Sequence, residues 1–315
     1  PDPALRDWVA FRIVKDTHPH VGDKYNVWPM LDFQSAIEDH LQDVTHIIRG
    51  KDLMDSEKRQ RYIYDYFGWE YPQVILWGRI SIQEYGKFSS SRMGKMVLTE
   101  EVSGWSDPSL PTVRAFERRG IQAESIREFM LDLGLSNHDV SVSMENLYAI
   151  NRHNIDDEAD RYFFINKPTE LVVTGAKEKT VEKPLHPGHR DRGNRKLHVP
   201  ASECCATLWI ARGDGKTLKE GDEFRLMNLY NVILEEEKPL VGRMHDVKNF
   251  KVPKIQWLSE KTPASVLKPD GVDKGFAETG CLNLQVGDVI QFERYGFARV
   301  DSKADGELVF IYSHP

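Results

Sequence analysis

The sequence predicts a multidomain chain of class α/β + α + β, and three observations predict it. Between 44 and 77, short apolar runs alternate with a helical pattern, giving a β-α-β-α-β rhythm. From 112 to 164 the apolar residues recur at helical spacing. From 168 onward, runs of strand length alternate apolar with polar residues and are punctuated by Gly, Pro and Asp. A length of 315 residues accommodates two or three such domains. The proline- and glycine-dense stretch 104–111 marks one junction, and the change of texture at Pro168 marks another. The expected division is therefore 1–104, 105–167 and 168–315.

Taken in order, 8–14 and 24–28 read as strands, joined by a turn-rich connection holding His18, His20 and Asp23. That spacing matches no common metal site, and no metal centre is expected. Ala36, Ile37 and Leu41 fall on one helical face, and the run 44–48 is a short buried strand. It stops at Arg49-Gly50, at the strand's carboxyl end, where open α/β sheets bind ligands. Arg49 is thus either a ligand contact or the partner of Asp39 or Asp52 in a structural ion pair. A helix over 56–67 follows, capped by Asp55 or Ser56, with Tyr62, Ile63, Tyr66 and Phe67 as its apolar stripe and Gly68 as its stop. A second buried strand occupies 74–77.

The segment Tyr85-Gly-Lys87-Phe-Ser-Ser-Ser91-Arg-Met-Gly-Lys95 reads as a mobile loop of small residues, hydroxyls and cations, suited to a polyphosphate. Helices are expected over 112–119, 123–133 and 143–164, the first two closed by Gly120 and Gly134. Strands are expected over 171–174, 205–210, 224–234, 254–258, 288–292, 297–301 and 308–312, a barrel-type pattern.

Bulk properties bound the function classes. The chain is 40% hydrophobic and 29% charged, ordinary for a soluble globular protein. No apolar run is long enough to span a bilayer. Cys204, Cys205 and Cys281 show neither CxxC spacing nor a paired framework, which points to a reducing, cytoplasmic setting. A net charge of −7 is not the usual signature of a nucleic-acid binder, so bound RNA must use local basic patches. The best of these lies over 186–198, with Arg190, Arg192, Arg195 and Lys196 against Asp191. The chain opens on Pro1 without an initiator Met, and the expectation is that it enters the middle of a domain.

Three stretches, Trp28-Pro-Met-Leu-Asp-Phe33, Ala36-Ile-Glu-Asp-His-Leu41 and Val44-Thr-His-Ile-Ile-Arg-Gly-Lys-Asp52, together resemble one known pattern. It is the second half of the Rossmann catalytic domain in the glutamyl- and glutaminyl-tRNA synthetases of class I. The resemblance extends along the chain. Lys87, Ser89 and Ser91 match the family's KMSKS loop, although its second lysine falls at Ser90, leaving Arg92 or Lys95 to supply the cation. Gly104-Trp-Ser-Asp-Pro-Ser-Leu-Pro-Thr112 and Arg114-Ala-Phe-Glu-Arg-Arg-Gly120 resemble later family elements, and the β texture resembles the paired anticodon-binding barrels of the archaeal and eukaryotic branch. His186-Pro-Gly-His189 spells the family's HxGH but stands after the KMSKS-like loop, inside the β region, and is read as a barrel loop.

The resemblance implies a second half of a class I catalytic domain, a helical stem-contact domain and an anticodon-binding region. It implies ATP-dependent activation of glutamate and transfer to tRNA(Glu), with Mg²⁺ accompanying ATP and tRNA(Gln) as a further candidate acceptor. Arg49, Leu31 and Asp32 then bind the amino acid, and Gly50, Lys87 and Ser91 face ATP. Lys87, Ser89, Ser91, Arg92 and Lys95 stabilise phosphate charge. Arg118, Arg119, Arg190, Arg192, Arg195, Arg225 and Arg294 contact tRNA, with Tyr295 and Phe297 beside them. Arg49 favours glutamate, since a guanidinium forks a γ-carboxylate, whereas a carboxamide leaves it without a counter-charge. The implied protein is a monomer whose piece in hand, lacking the first half-Rossmann, is inactive alone. A glutaminyl enzyme and a non-catalytic tRNA-binding module are the alternatives, the latter favoured by Ser90.

Overall fold

The computed structural model describes residues 3–86, 88–304 and 306–315. The chain divides into two compact units, residues 1–86 with 131–143, and residues 87–130 with 144–315.

In the first unit, Phe11–Ile13 and Val27–Pro29 pair as an antiparallel hairpin. The helix Leu31–Leu41 leads into the strand His46–Gly50, which runs parallel to Gln73–Trp77 with Arg49 opposite Leu76. The helix Met54–Phe67 crosses between these strands and ends on Gly68 in the left-handed conformation, φ 69°. Two sequence expectations change here. The buried face of that helix is Ser56, Gln60 and Tyr64, not the aromatic stripe, and Tyr66 is 93% exposed. Polar side chains win this face because they hydrogen-bond across it, Gln60 to Ser35 of the neighbouring helix. The strand His46–Gly50 is also less buried than its composition implies, with Ile48 56% exposed and Leu41 on the neighbouring helix exposed. Trp69 anchors the layer, stacked between His40 at 3.7 Å and Phe67 at 4.6 Å.

The segment 131–143 joins this unit through Val140–Val142, which pairs in parallel with Ile80–Ile82. Gly78 makes the approach possible. A Cβ there would lie 2.1 Å from the carbonyl oxygen of His138, while Gly78 N–H donates to Ser136 O at 2.8 Å.

The second unit opens with the helix Ser90–Leu98, so the loop expected over 85–95 is helical from Ser90 onward. The Ser89 hydroxyl caps it, accepting from Arg92 N–H at 3.2 Å. Val113–Arg119 is capped in the same way by Thr112 and stopped by Gly120 at φ 83°. Met144–Ile155 is shorter than the helix expected over 143–164. Asp156, Asp157 and Glu158 crowd its carboxyl end, where the helix dipole disfavours anions. The chain then becomes strand at Arg161–Tyr162 and Phe164–Asn166, burying Phe163 and Ile165 completely.

Two mixed sheets follow. The six-stranded one runs, in spatial order, Cys205–Ala211, Pro168–Thr174, Leu240–His245, Asn231–Glu237, Glu223–Leu226 and Lys254–Ile255. Its two edges meet again where Trp209 and Leu258 exchange backbone hydrogen bonds at 2.7 and 3.0 Å. The seven-stranded sheet begins and ends on Arg161–Tyr162 and Phe164–Asn166, which are consecutive in sequence. Each sheet encloses its own core, one around Leu171, Phe224 and Trp257, the other around Val266, Phe292 and Phe310. The expected strand 224–234 is instead a hairpin turning at Asn228, φ 60°, a conformation asparagine tolerates. The charged hairpin Lys179–Pro184 with Asn194–Val199 was not legible as strand, since Lys183 and Arg195 occupy inward positions.

Candidate functional site

In the first unit the helices hold Arg49 through a chain of side chains. The Arg49 guanidinium donates to Gln60 Oε1 at 3.0 Å and lies 3.5 Å from Tyr71 Oη. Tyr71 Oη donates to the same Gln60 oxygen at 2.7 Å, and Gln60 Nε2 donates to Ser35 Oγ at 2.6 Å. Ser35 in turn donates to Leu31 O at 2.7 Å. Asp32 sits beside this chain, paired with Arg59 at 2.6 Å. The structure thus links Arg49 to Leu31 O through one hydrogen-bonded chain, with the Asp32–Arg59 pair separate from it. Neither Asp39 nor Asp52 forms an ion pair with Arg49 among the described residues. Burial pushes the Asp39 carboxyl above its ordinary range, and the more distant charge of Arg49 pulls against that shift. The acceptor nearest Arg49 is a neutral amide, so its positive charge is not cancelled at contact.

The carboxyl ends of the parallel strands open into a cavity of about 500 Å³, lined by Lys51, Asp52, Met54, Leu76, Arg79, Asn137 and Asp139. Lys51 bonds Asp139 at 2.8 Å, Arg79 N–H donates to the same carboxylate at 2.9 Å, and Arg79 lies 3.8 Å from Asp52. The Lys51 hydrogen bond, helped by that backbone donor, holds Asp139 below the ordinary carboxylate range. Two cations, each beside a carboxylate, and an amide give a polar cleft at the ends of the parallel strands, where open α/β sheets bind ligands. Gly50 precedes the lining residue Lys51 in the chain, and a Cβ at that position would meet Asp52 Oδ1 at 2.5 Å. Nothing in the local sequence marks Lys51, Arg79 or Asp139 as site residues. Asp139 lies 60 residues from Arg79, so no local signal could have paired them.

In the second unit, Ser89, Ser91, Arg92 and Lys95 lie on or at the start of one helix. Ser91 and Lys95 are one turn apart on a shared face. Arg92 packs over the Phe88 ring at 5.5 Å. Lys87 lies outside the described residues.

The seven arginines expected at RNA divide sharply. Arg119 is 1% exposed and spends its guanidinium on Tyr312 O, Ser313 O and Tyr148 Oη. Arg195 is likewise buried, paired with Glu278 and Glu293. Both serve the interior, because strands distant in sequence bring acceptors to them. Arg118 forks Asp301 at 2.9 and 2.7 Å, and Arg192 is bound to the 157–160 loop. Arg225 is buried against Asn231 and beneath the exposed Phe250. Arg294 forks Asp214 at the surface, and Phe297 is core. Arg190 is exposed, and its side chain makes no hydrogen bond or ion pair among the described residues. His186 is buried, its ring bonded to Asp156 O at 3.0 Å and to Gly188 N–H at 3.1 Å, a structural loop corner.

A parallel strand pair with a cleft at its carboxyl end, followed by two β units, fits the class I aminoacyl-tRNA synthetase pattern that the sequence resembles. The chain belongs to the class I tRNA synthetases (E and Q). That family's catalytic-domain model matches residues 1–157, and its two anticodon-binding models match 159–248 and 250–301. Among curated relatives, the glutamate–tRNA ligase of Methanothrix thermoacetophila is 46% identical over 319 residues, covering 99% of this chain and 55% of that protein. The glutamate–tRNA ligase of Methanococcoides burtonii is 48% identical over 318 residues, covering 98% and 55%. That of Archaeoglobus fulgidus is 48% identical over 318 residues, covering 100% and 56%. The chain spans about half the length of the curated relatives it matches. No helix among the described residues is long and apolar enough to cross a membrane.

Proposed function

We propose that this chain is part of a glutamate–tRNA ligase. The observation that carries the reading is the near-complete coverage of the chain by archaeal relatives that bear that name. Arg49, with its charge uncancelled by its nearest acceptor, supports glutamate over glutamine.

In the first step the glutamate α-carboxylate attacks the α-phosphorus of ATP. The bond to the β-phosphate oxygen breaks, and pyrophosphate leaves. In the second, a hydroxyl of the tRNA 3′-terminal ribose attacks the adenylate carbonyl and AMP departs. Arg49 orients the γ-carboxylate, with Leu31 and Asp32 shaping that pocket through Ser35 and Arg59. Gly50 and the cleft of Lys51 and Arg79 receive the nucleotide. Ser89 orders the helix carrying Ser91, Arg92 and Lys95, whose cations meet the pyrophosphate charge. Mg²⁺ enters with the nucleotide; no three His, Cys, Asp or Glu side chains among the described residues cluster to hold it.

Residues 1–104 are assigned to catalysis, 105–167 to the acceptor stem and 168–315 to the anticodon, the last as paired barrels. Within the RNA surface, Arg190 and Arg294 carry the reading forward, and Arg118, Arg192 and Arg225 act from its margin. The protein acts as a cytoplasmic monomer. Charging of purified tRNA(Glu) and tRNA(Gln) by the intact natural chain, with labelled glutamate and glutamine in parallel, tests the proposal. Glutamate on tRNA(Glu) is expected, and its appearance on tRNA(Gln) would mark relaxed acceptor choice. Glutamine incorporation would overturn the role of Arg49, and no incorporation with tRNA binding retained would favour a non-catalytic module.

A further inference from the structure

The first unit holds a second cavity, of about 570 Å³, at the amino ends of the strands His46–Gly50 and Gln73–Trp77. It lies at the opposite end of those strands from the cleft of Lys51 and Arg79. Three carboxylates line it, each from a different piece of chain. Asp39 comes from the helix Leu31–Leu41, Asp43 from the turn that follows, and Glu70 from the turn before the second strand. None of the three side chains makes a hydrogen bond or ion pair among the described residues. Arg61 also lines the cavity, but its charge is already committed. The guanidinium donates twice to Glu57, at 3.0 and 2.8 Å, and lies over the Tyr71 ring at 4.5 Å. The wall is therefore left with uncompensated negative charge.

Acidity alone does not make a site, and Tyr64 supplies an independent mark. It lines the same cavity, is 1% exposed, and its Oη has no hydrogen-bond partner among the described residues. Buried hydroxyls in native proteins are nearly always paired, because leaving one unpaired is costly. The ring meets His40, Trp69 and Tyr71 edge-on at 6.1, 5.6 and 4.8 Å, which fixes the direction of the hydroxyl. Burial first, and then the charge of Asp39, push the phenol above its ordinary range, so the two groups are neighbours. One occupant can thus meet the lone pairs of Tyr64 and the carboxylate of Asp39 together.

The chemistry of that occupant follows. It carries positive charge, and it donates hydrogen bonds. A bare metal ion does not suit, since no three His, Cys, Asp or Glu side chains among the described residues cluster to hold one. A primary ammonium brings three donors on a compact charge. Val44, Pro72 and the rings of Tyr64 and Tyr71 add apolar wall suited to methylenes. We propose that this cavity binds an aliphatic diamine or polyamine. One ammonium sits on Asp39 and Tyr64, and the other reaches the exposed carboxylates Asp43 and Glu70.

Calorimetric titration of the intact chain with putrescine and with spermidine tests this. At about 0.1 M salt, charges farther apart than about 10 Å are largely screened, which suppresses general attraction to an acidic chain. Saturable binding at one site is expected. Butylamine and Nα-acetyl-lysine amide, the latter standing in for a partner's lysine, should bind at least about 10-fold more weakly, since each brings one ammonium. Asp39→Asn and Tyr64→Phe should each weaken putrescine by about 10-fold or more, the worth of a hydrogen bond to a charged group. Tyr64→Phe removes a hydroxyl with no partner to lose, so it secures the test if Asp39→Asn folds poorly. Asp65→Asn, on the same helix but off the cavity wall, should change nothing. Absence of saturable binding overturns the inference, and so does unchanged affinity in Tyr64→Phe. An equal loss in Asp65→Asn overturns it as well, in favour of unspecific polycation attraction. Equal affinity for Nα-acetyl-lysine amide overturns it in favour of a lysine-bearing partner. The titration contains neither nucleotide nor RNA, so its outcome is independent of the ligase reading.

Discussion

Gln60 shows how a single neutral side chain can keep a cation available. Its carbonyl oxygen takes both Arg49 and Tyr71, and its amide donates to Ser35, so Arg49 is oriented without being neutralised. Arg49→Ala is expected to lower kcat/KM for glutamate in the intact enzyme by about 10- to 150-fold, the worth of a hydrogen bond to a charged group. The KM for ATP should stay unchanged, and steady-state adenylate formation checks both. His314 gives a pH prediction. Burial, with Arg152 and Arg119 nearby, depresses its imidazole to about 4 from an ordinary 6.5. The fold therefore favours the neutral ring, and stability holds above pH 6.5 and falls as pH drops toward 4. Up to about 3 kcal/mol is at stake. Urea melts at pH 7 and pH 5 should show that loss, and His314→Asn should flatten it.

Among elements, the docking of 136–142 onto Ile80–Ile82 depends on a backbone approach that leaves no room for a methyl group at Gly78. Gly78→Ala is expected to cost about 1–3 kcal/mol, as overpacking does, and to speed amide exchange over 136–142. Unchanged exchange there would show that the segment is held by other means. The helix Ser90–Leu98 depends on its cap. Ser89→Ala should weaken it by about 0.5–2 kcal/mol, visible as faster exchange over 90–94. The same replacement should lower the rate of pyrophosphate exchange in the intact enzyme, since Arg92 and Lys95 ride on that helix.

Across the second unit, a buried charge cluster fastens the hairpin Lys179–Val199 side to the seven-stranded sheet. Arg195 meets Glu278 and Glu293, Lys183 meets Glu293, and Phe163 N–H donates to Glu278 at 2.6 Å. Arg195→Met leaves two carboxylates short of a partner and is expected to destabilise this unit by about 3–5 kcal/mol. Adding Glu278→Gln should recover part of that loss, and a double-mutant cycle in urea measures the coupling. The same cluster explains why the basic stretch 186–198, read along the chain, is a poor guide to an RNA surface. A run of like charges is legible in sequence, whereas the carboxylates that turn Arg195 inward lie 83 and 98 residues away.

Local patterns along the chain suffice for the change from α/β to all-β texture, most helix stops, and Arg49 at the end of a strand. Each of these rests on local physics: side-chain period, glycine at positive φ, and turn chemistry. Helix ends set by Gly68 and Gly120 therefore fell where expected. Long-range packing sets which face of Met54–Phe67 is buried, which arginines remain at the surface, and that Lys51, Arg79 and Asp139 share one cleft. Those outcomes depend on partners far away in the chain. A buried polar group is placed by whichever donor or acceptor satisfies it, and that partner carries no signature in the neighbouring sequence.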